Sequence, residues 1–122
     1  MRSLVISLIL LCLMLICIVW NYIYINDVFL QMNSRLDRLP APDSAGCAEA
    51  LRELCSYWES QTDWVGLSVG YPTVDRVGEQ AGTALTCALH GDRFGFYTAI
   101  ALLRDSLSDM RRLECFSVKN LL

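Results

Sequence analysis

Leu4-Val5-Ile6-Ser7-Leu8-Ile9-Leu10-Leu11-Cys12-Leu13-Met14-Leu15-Ile16-Cys17-Ile18-Val19-Trp20 is the stretch on which the architecture of this chain turns. From Ser3 to Asn26 there is no charged residue. A helix needs about 20 apolar residues to cross ~30 Å of hydrocarbon, and the run meets that length. Trp20, Tyr22 and Tyr24 gather at one end of it, as aromatic rings do at the headgroup level. The expectation is one transmembrane helix that meets the lipid bilayer through residues 3–25. A cleaved secretory signal is the competing reading, but it has a shorter apolar core and a small-residue cleavage site. The exit here is Trp20-Asn21-Tyr22-Ile23-Tyr24, with no Ala-x-Ala-like triplet. Leu11 precedes Cys12 and Ile16 precedes Cys17, so neither cysteine follows the small residue a lipoprotein would need. The residues favour an uncleaved anchor.

Arg2 and the α-amino group flank the N-terminal side of the run, and Asp27 comes first on the other. The positive-inside tendency places the N-terminus in the cytoplasm and residues 27–122 outside the cell membrane, although Arg35 and Arg38 weaken the bias. The span lacks a G-x-x-x-G, so it carries no argument for self-association.

Of 122 residues, about 95 remain outside the span, enough for one small domain. Setting Arg2 aside, residues 27–122 hold nine basic and thirteen acidic side chains, a net charge of −4. That balance excludes nucleic acid as a partner, because such binding rests on neutralising phosphates. It also argues against adhesion of the domain to anionic lipid by charge.

Beyond the span, Val28, Met32, Leu36 and Leu39 recur at helical spacing, so the anchor helix should run on until Pro40-Ala41-Pro42 stops it. Asp43 or Ser44 can cap a second helix with an apolar stripe of Cys47, Leu51, Leu54, Cys55 and Trp58. That helix should end near Trp64, since Gly66, Gly70 and Pro72 punctuate a loop. A third helix starts near Thr73, with Val74, Val77, Ala81, Ala84, Leu85, Ala88 and Leu89 inward. His90-Gly91-Asp92 reads as a tight reversal. The last helix runs from about Arg93 to Phe116, with Phe96, Tyr97, Ile100, Leu103, Leu107, Met110 and Leu113 on one face. Short turns between helices of similar length predict antiparallel packing. The fold expected is all-α: an N-terminal transmembrane helix (1–26), a helical extension and Pro-containing linker (27–42), and a small antiparallel three-helix domain (43–122) outside the membrane.

One string imitates chemistry. Gly66-Leu67-Ser68-Val69-Gly70 matches G-x-S-x-G, and Asp75 and His90 follow in the Ser…Asp…His order of hydrolases with a nucleophile elbow. The elbow must join a strand to a helix in a large sheet, and no sheet can be built here. The string reads as an inter-helix loop and the sole histidine as a turn residue, so no catalytic residue is assigned. Asp75 with Glu79, and Asp105 with Asp109, lie four apart on helix faces but are interleaved with Arg76, Arg104, Arg111 and Arg112, as on a solvated surface. No C-x-x-C or His pair has metal-ligand spacing, so no metal or cofactor is expected. Trp58 and Trp64 read as core and helix-end packing.

Two features remain open. Gly78 and Gly82 lie one helical turn apart, which marks a close-packing or interaction face, since each glycine costs about 1 kcal/mol against Ala in an exposed helix. Cys47, Cys55, Cys87 and Cys115 fall outside the span. Cys47 and Cys55 are about 12 Å apart along one helix, too far to bridge each other, so a disulfide would need Cys87 or Cys115. Free, buried thiols fit the same apolar stripes.

The order Trp58-x5-Trp64, Val74-Asp75-Arg76-Val77, Gly91-Asp92, Tyr97-x3-Ala101-x3-Asp105-x-Leu107 and Leu113-Glu114-x2-Ser117-x2-Asn120-Leu121-Leu122, behind a short membrane helix, resembles the bacterial membrane-anchored family grouped as domain of unknown function 4363. The likeness runs along nearly the whole chain, with Tyr71-Pro72 where many members place a His and with four extramembrane cysteines outside the pattern. It implies an anchored helical layout and no known activity. Two functions then stand: a non-catalytic helical domain that binds another protein at the membrane, or a redox- or ligand-sensing domain that uses the extramembrane cysteines.

Overall fold

Four helices make up the chain in the computed structural model: α1 (Arg2–Asp37), α2 (Ala45–Val69), α3 (Tyr71–Leu89) and α4 (Arg93–Leu121). Residues 1–42 and 44–121 are described, with Ala45, residues 114–118 and residues 120–121 described by backbone alone. Among the described residues there is no strand, in keeping with the all-α expectation.

α1 is one uninterrupted helix whose halves differ. Its first half is long and apolar enough to cross a membrane, and none of its most apolar stretch is buried against the rest of the chain. From Ile25 onward one face turns inward. Ile25, Val28, Met32 and Leu36, spaced three and four apart, are 4 % exposed or less. They enter a single core with Leu54 and Trp58 of α2, Val77 of α3 and Leu103, Leu107 and Met110 of α4. Burial of such side chains contributes about 1.5–3 kcal/mol each, so this stripe outweighs any surface contact α1 makes.

α1 runs on through Asp37, short of Pro40, and its second half forms a fourth wall of the core. α3 packs most extensively on α4 and α2, while α1 packs on α4 and α2 from the other side. Among the described residues, the backbones of α1 and α3 do not approach each other. A second apolar cluster, of Cys47, Leu51, Ala84, Phe96 and Ala99, lies where α2 begins and α3 ends.

The connections are short because local chemistry closes each helix. The Ser44 hydroxyl accepts from the Gly46 N–H at 3.3 Å and caps α2, while Asp43 lies outside the described residues. The Asp92 carboxylate accepts from the Gly95 N–H at 2.9 Å and caps α4, behind Gly91 at φ +72°. Between α2 and α3 stands one residue, Gly70, at φ +92°, a conformation that L side chains rarely adopt. Pro72 sits in the first turn of α3, where its missing N–H would have had no helical partner.

That junction corrects the loop expected from Val65 to Pro72. α2 runs on to Val69 and α3 begins at Tyr71. Val65 is fully buried, and the Tyr71 ring lies over Gly66, so tertiary packing offsets the helix cost of the glycine. Three other positions depart from the inward stripes. Leu89, Tyr97 and Leu113 are each about half exposed.

Candidate functional site

The residues singled out by sequence scatter through this frame. Ser68 lies in the last turn of α2, hydrogen-bonded to the Trp64 carbonyl at 3.3 Å. His90 follows the far end of α3, its Nδ1 2.8 Å from the Thr86 carbonyl. With the 19 residues of α3 between them, about 28 Å of helix separates the two side chains. Gly66 to Val69 are helical and Gly70 is the one-residue break between two helices, so the string forms no strand-to-helix elbow.

Gly78 lies against the Trp58 indole, and a Cβ there would stand 3.8 Å from Nε1, an ordinary contact. A Cβ at Gly82 would meet nothing within 4 Å. The pair therefore does not bring two helix backbones together, and the outer side of Gly82 is open. Close approach occurs elsewhere. A Cβ at Gly66 would fall 2.9 Å from the Tyr71 ring, and one at Gly95 would fall 2.5 Å from the Asp92 carboxylate and 2.7 Å from the Cys87 sulfur.

Cys47, Cys55 and Cys87 carry free thiols. Cys47 is fully buried, and burial pushes its thiol up from the usual range. Cys55 is half-buried and is pushed up by burial first and by the Glu59 carboxylate second. Both shifts disfavour the thiolate, the form that acts as nucleophile and metal ligand. The Cys115 side chain lies outside the described residues. Among the described residues no group of three or more His, Cys, Asp or Glu could hold a metal ion. A depression lined by Ala48, Arg52 and Ser56 runs along one face of α2, open to solvent.

What the fold does assemble is a junction. α1 leaves its apolar half at Trp20 and at once makes polar contacts with α2. The Ser68 hydroxyl donates to the side-chain oxygen of Asn21. One turn on, the Tyr24 hydroxyl donates to the Gln61 side chain. Further along, the Arg35 guanidinium stacks over the Tyr57 ring, 4.6 Å from its centroid. The Tyr57 hydroxyl titrates above its usual range, first because it is buried and then because Asp27 and Tyr24 disfavour its anion, against the opposing pull of Arg35.

On the α4 side, Arg104 donates to Asp37 at 2.9 Å and to Asn33 at 3.3 Å, and the Arg111 guanidinium lies over Phe29. Polar clasps thus flank the buried stripe on both edges, and they fix the direction in which the apolar half of α1 leaves the helical core. Sequence reasoning missed this junction. Its signal is that polar Asn21, Tyr24, Asn33 and Arg35 follow the apolar run within one continuous helix.

The junction joins an all-helical core to one helix that is long and apolar enough to cross a membrane. No family model matches the chain, and no curated protein or solved structure matches it.

Proposed function

We propose that this is a single-pass membrane protein whose non-catalytic helical domain, held on the extracytoplasmic side, binds another protein at the membrane surface. The observation that carries the reading is the uncovered apolar surface around the α3–α4 turn. Leu89, Phe94 and Tyr97 are each more than half exposed there, with Phe94 at 83 %. Large apolar side chains clustered in water mark protein interaction sites more often than chance exposure does. The face is helical, as suits a partner helix docking by side chains three and four apart. Gly82, with open space beyond it, offers a second place on α3 where a partner backbone could approach. The anchor places the domain at the membrane, and the clasped junction presents that face at a fixed height and angle. In this reading the four helices form an antiparallel unit, with the resemblance to domain of unknown function 4363 as its family context.

A redox- or ligand-sensing role for Cys47, Cys55 or Cys87 has less support, because burial holds the first two thiols protonated. In-membrane crosslinking of the tagged full-length protein, with the captured species identified by mass spectrometry, tests the choice. One reproducible heterologous partner, lost when Phe94 or Tyr97 is changed to Glu, is the expected result. Self-crosslinks alone would sink the partner model.

A further inference from the structure

A separate set of uncovered apolar side chains lies at the opposite end of α3, where α2 turns into α3. Trp64, Leu67 and Tyr71 are 67 %, 75 % and 56 % exposed. They occupy an eleven-residue stretch, from Trp64 to Val74, without a Lys, Arg, Asp or Glu. Their height along α1 is set by the contact between Ser68 and Asn21. Ser68 follows Leu67 directly, and Asn21 follows Trp20, the last residue of the apolar run. Trp20 and Ile23 are themselves 74 % and 60 % exposed. The turn therefore stands beside the point where α1 leaves its apolar half.

We propose that the α2–α3 turn is a second membrane contact, in which Trp64, Leu67 and Tyr71 enter the interfacial layer of the bilayer that α1 crosses, beside Trp20 and Ile23. The proposal rests on reading the first half of α1 as a transmembrane span, and continuity with that span identifies the lipid as the occupant. The residue types suit the site, because Trp and Tyr favour the headgroup level, where an apolar ring and a polar tip are both satisfied. The backbone suits it too. Unpaired N–H and C=O groups are costly near hydrocarbon. Here Gly70 N–H donates to the Gly66 carbonyl at 3.0 Å, Val74 N–H donates to the Gly70 carbonyl at 3.4 Å, and Pro72 has no N–H to leave unpaired. The Tyr71 ring lies over Gly66, at the turn rather than along α3. Since the domain is net acidic, this contact is apolar and needs no anionic lipid. Two points of attachment, one spanning and one interfacial, stop the domain from tilting about α1.

Tryptophan quenching in the reconstituted full-length protein tests this. The protein is placed in phosphatidylcholine vesicles with plain acyl chains or with chains brominated near the carbonyl. Wild type is compared with Trp20→Phe, Trp64→Phe and Phe94→Trp. The fluorescence lost on Trp64→Phe isolates Trp64. It should fall about two-fold in brominated vesicles, since interfacial side chains sit about 5–10 Å into the headgroup and acyl boundary. The signal added by Phe94→Trp, at the far end of α3, should not change. Quenching of Trp20 without quenching of Trp64 would overturn the proposal and leave the span in place. Quenching of neither would overturn the span and this proposal together. Equal quenching of Trp64 and the tryptophan at position 94 would also overturn it, because the turn would then be no special point of contact.

Discussion

The Trp58 indole N–H donates to the main-chain carbonyl of Val74 at 3.3 Å, tying the middle of α2 to the first turn of α3 inside the core. The indole is 2 % exposed and has Gly78 beneath it, so ring volume and hydrogen bond act at one place. Trp58→Ala should cost about 3–5 kcal/mol from the cavity and lost burial. Trp58→Phe, which keeps most of the volume, should cost about 1–2 kcal/mol. Thermal melts of the detergent-solubilised protein, followed by circular dichroism, separate the two.

Glycines should split into two groups. Gly82→Ala meets open space and Gly78→Ala meets Trp58 at 3.8 Å, so each should gain up to about 1 kcal/mol of helix propensity. Gly95→Ala should do the reverse. Its Cβ would displace the Asp92 carboxylate that caps α4, at a cost of roughly 1–2 kcal/mol. Gly66→Ala should cost less, because the Tyr71 ring it strikes is half exposed and can move. The same melts rank the four variants.

Fragment boundaries test whether α1 belongs to the core. A 21–122 fragment keeps Ile25, Val28, Met32 and Leu36 and should fold cooperatively. A 40–122 fragment leaves the facing apolar surfaces of α2 and α4 uncovered and should be expanded or aggregated. Within the full chain, Met32→Ala should cost about 2–5 kcal/mol. Asp37→Ala should cost no more than about 1 kcal/mol, since its ion pair with Arg104 is exposed. Equal stability of the two fragments would remove α1 from the core.

Alkaline pH should weaken the fold in a defined direction. Cys47 and Cys55 hold their protons beyond the ordinary thiol value, so above about 8.5 the unfolded chain binds fewer protons than the native one and stability falls as pH rises. Tyr57 adds a further loss above about 10, by the same sign. Stability should be level from about pH 6 to 8 with respect to these groups and should decline beyond. A Cys47→Ala, Cys55→Ala double variant should decline less over the first part of that range. Maleimide should label both thiols slowly in the folded protein and quickly in urea, without prior reduction.

Much of the architecture was legible because it depends on local pattern. The stripes Cys47-Leu51-Leu54-Trp58 and Val74-Val77-Ala81-Ala84 turn inward as their three-and-four spacing implies, and Gly91-Asp92 closes the reversal before α4. Val65 to Tyr71 was misread for a related reason. Two glycines raise the helix cost locally, but the burial of Val65 and the Tyr71 ring over Gly66 lie beyond any local rule. Trp64 was expected to pack at the helix end and instead points largely into the surroundings, since a tryptophan looks the same in sequence whether its neighbours cover it or not.

By itself, the order of residues decides that the chain is helical, where the reversal before α4 falls, and that residues 3–26 carry no charge. Those properties follow from backbone hydrogen bonding, caps and transfer free energies that act within a few positions of each other. Only the tertiary structure decides that α1 is both an apolar rod and a wall of the core. It also decides that Asn21 and Ser68, distant in sequence, set the height of the α2–α3 turn beside Trp20. Such relationships arise from how four amphipathic faces share one buried volume, and no single helix carries that information.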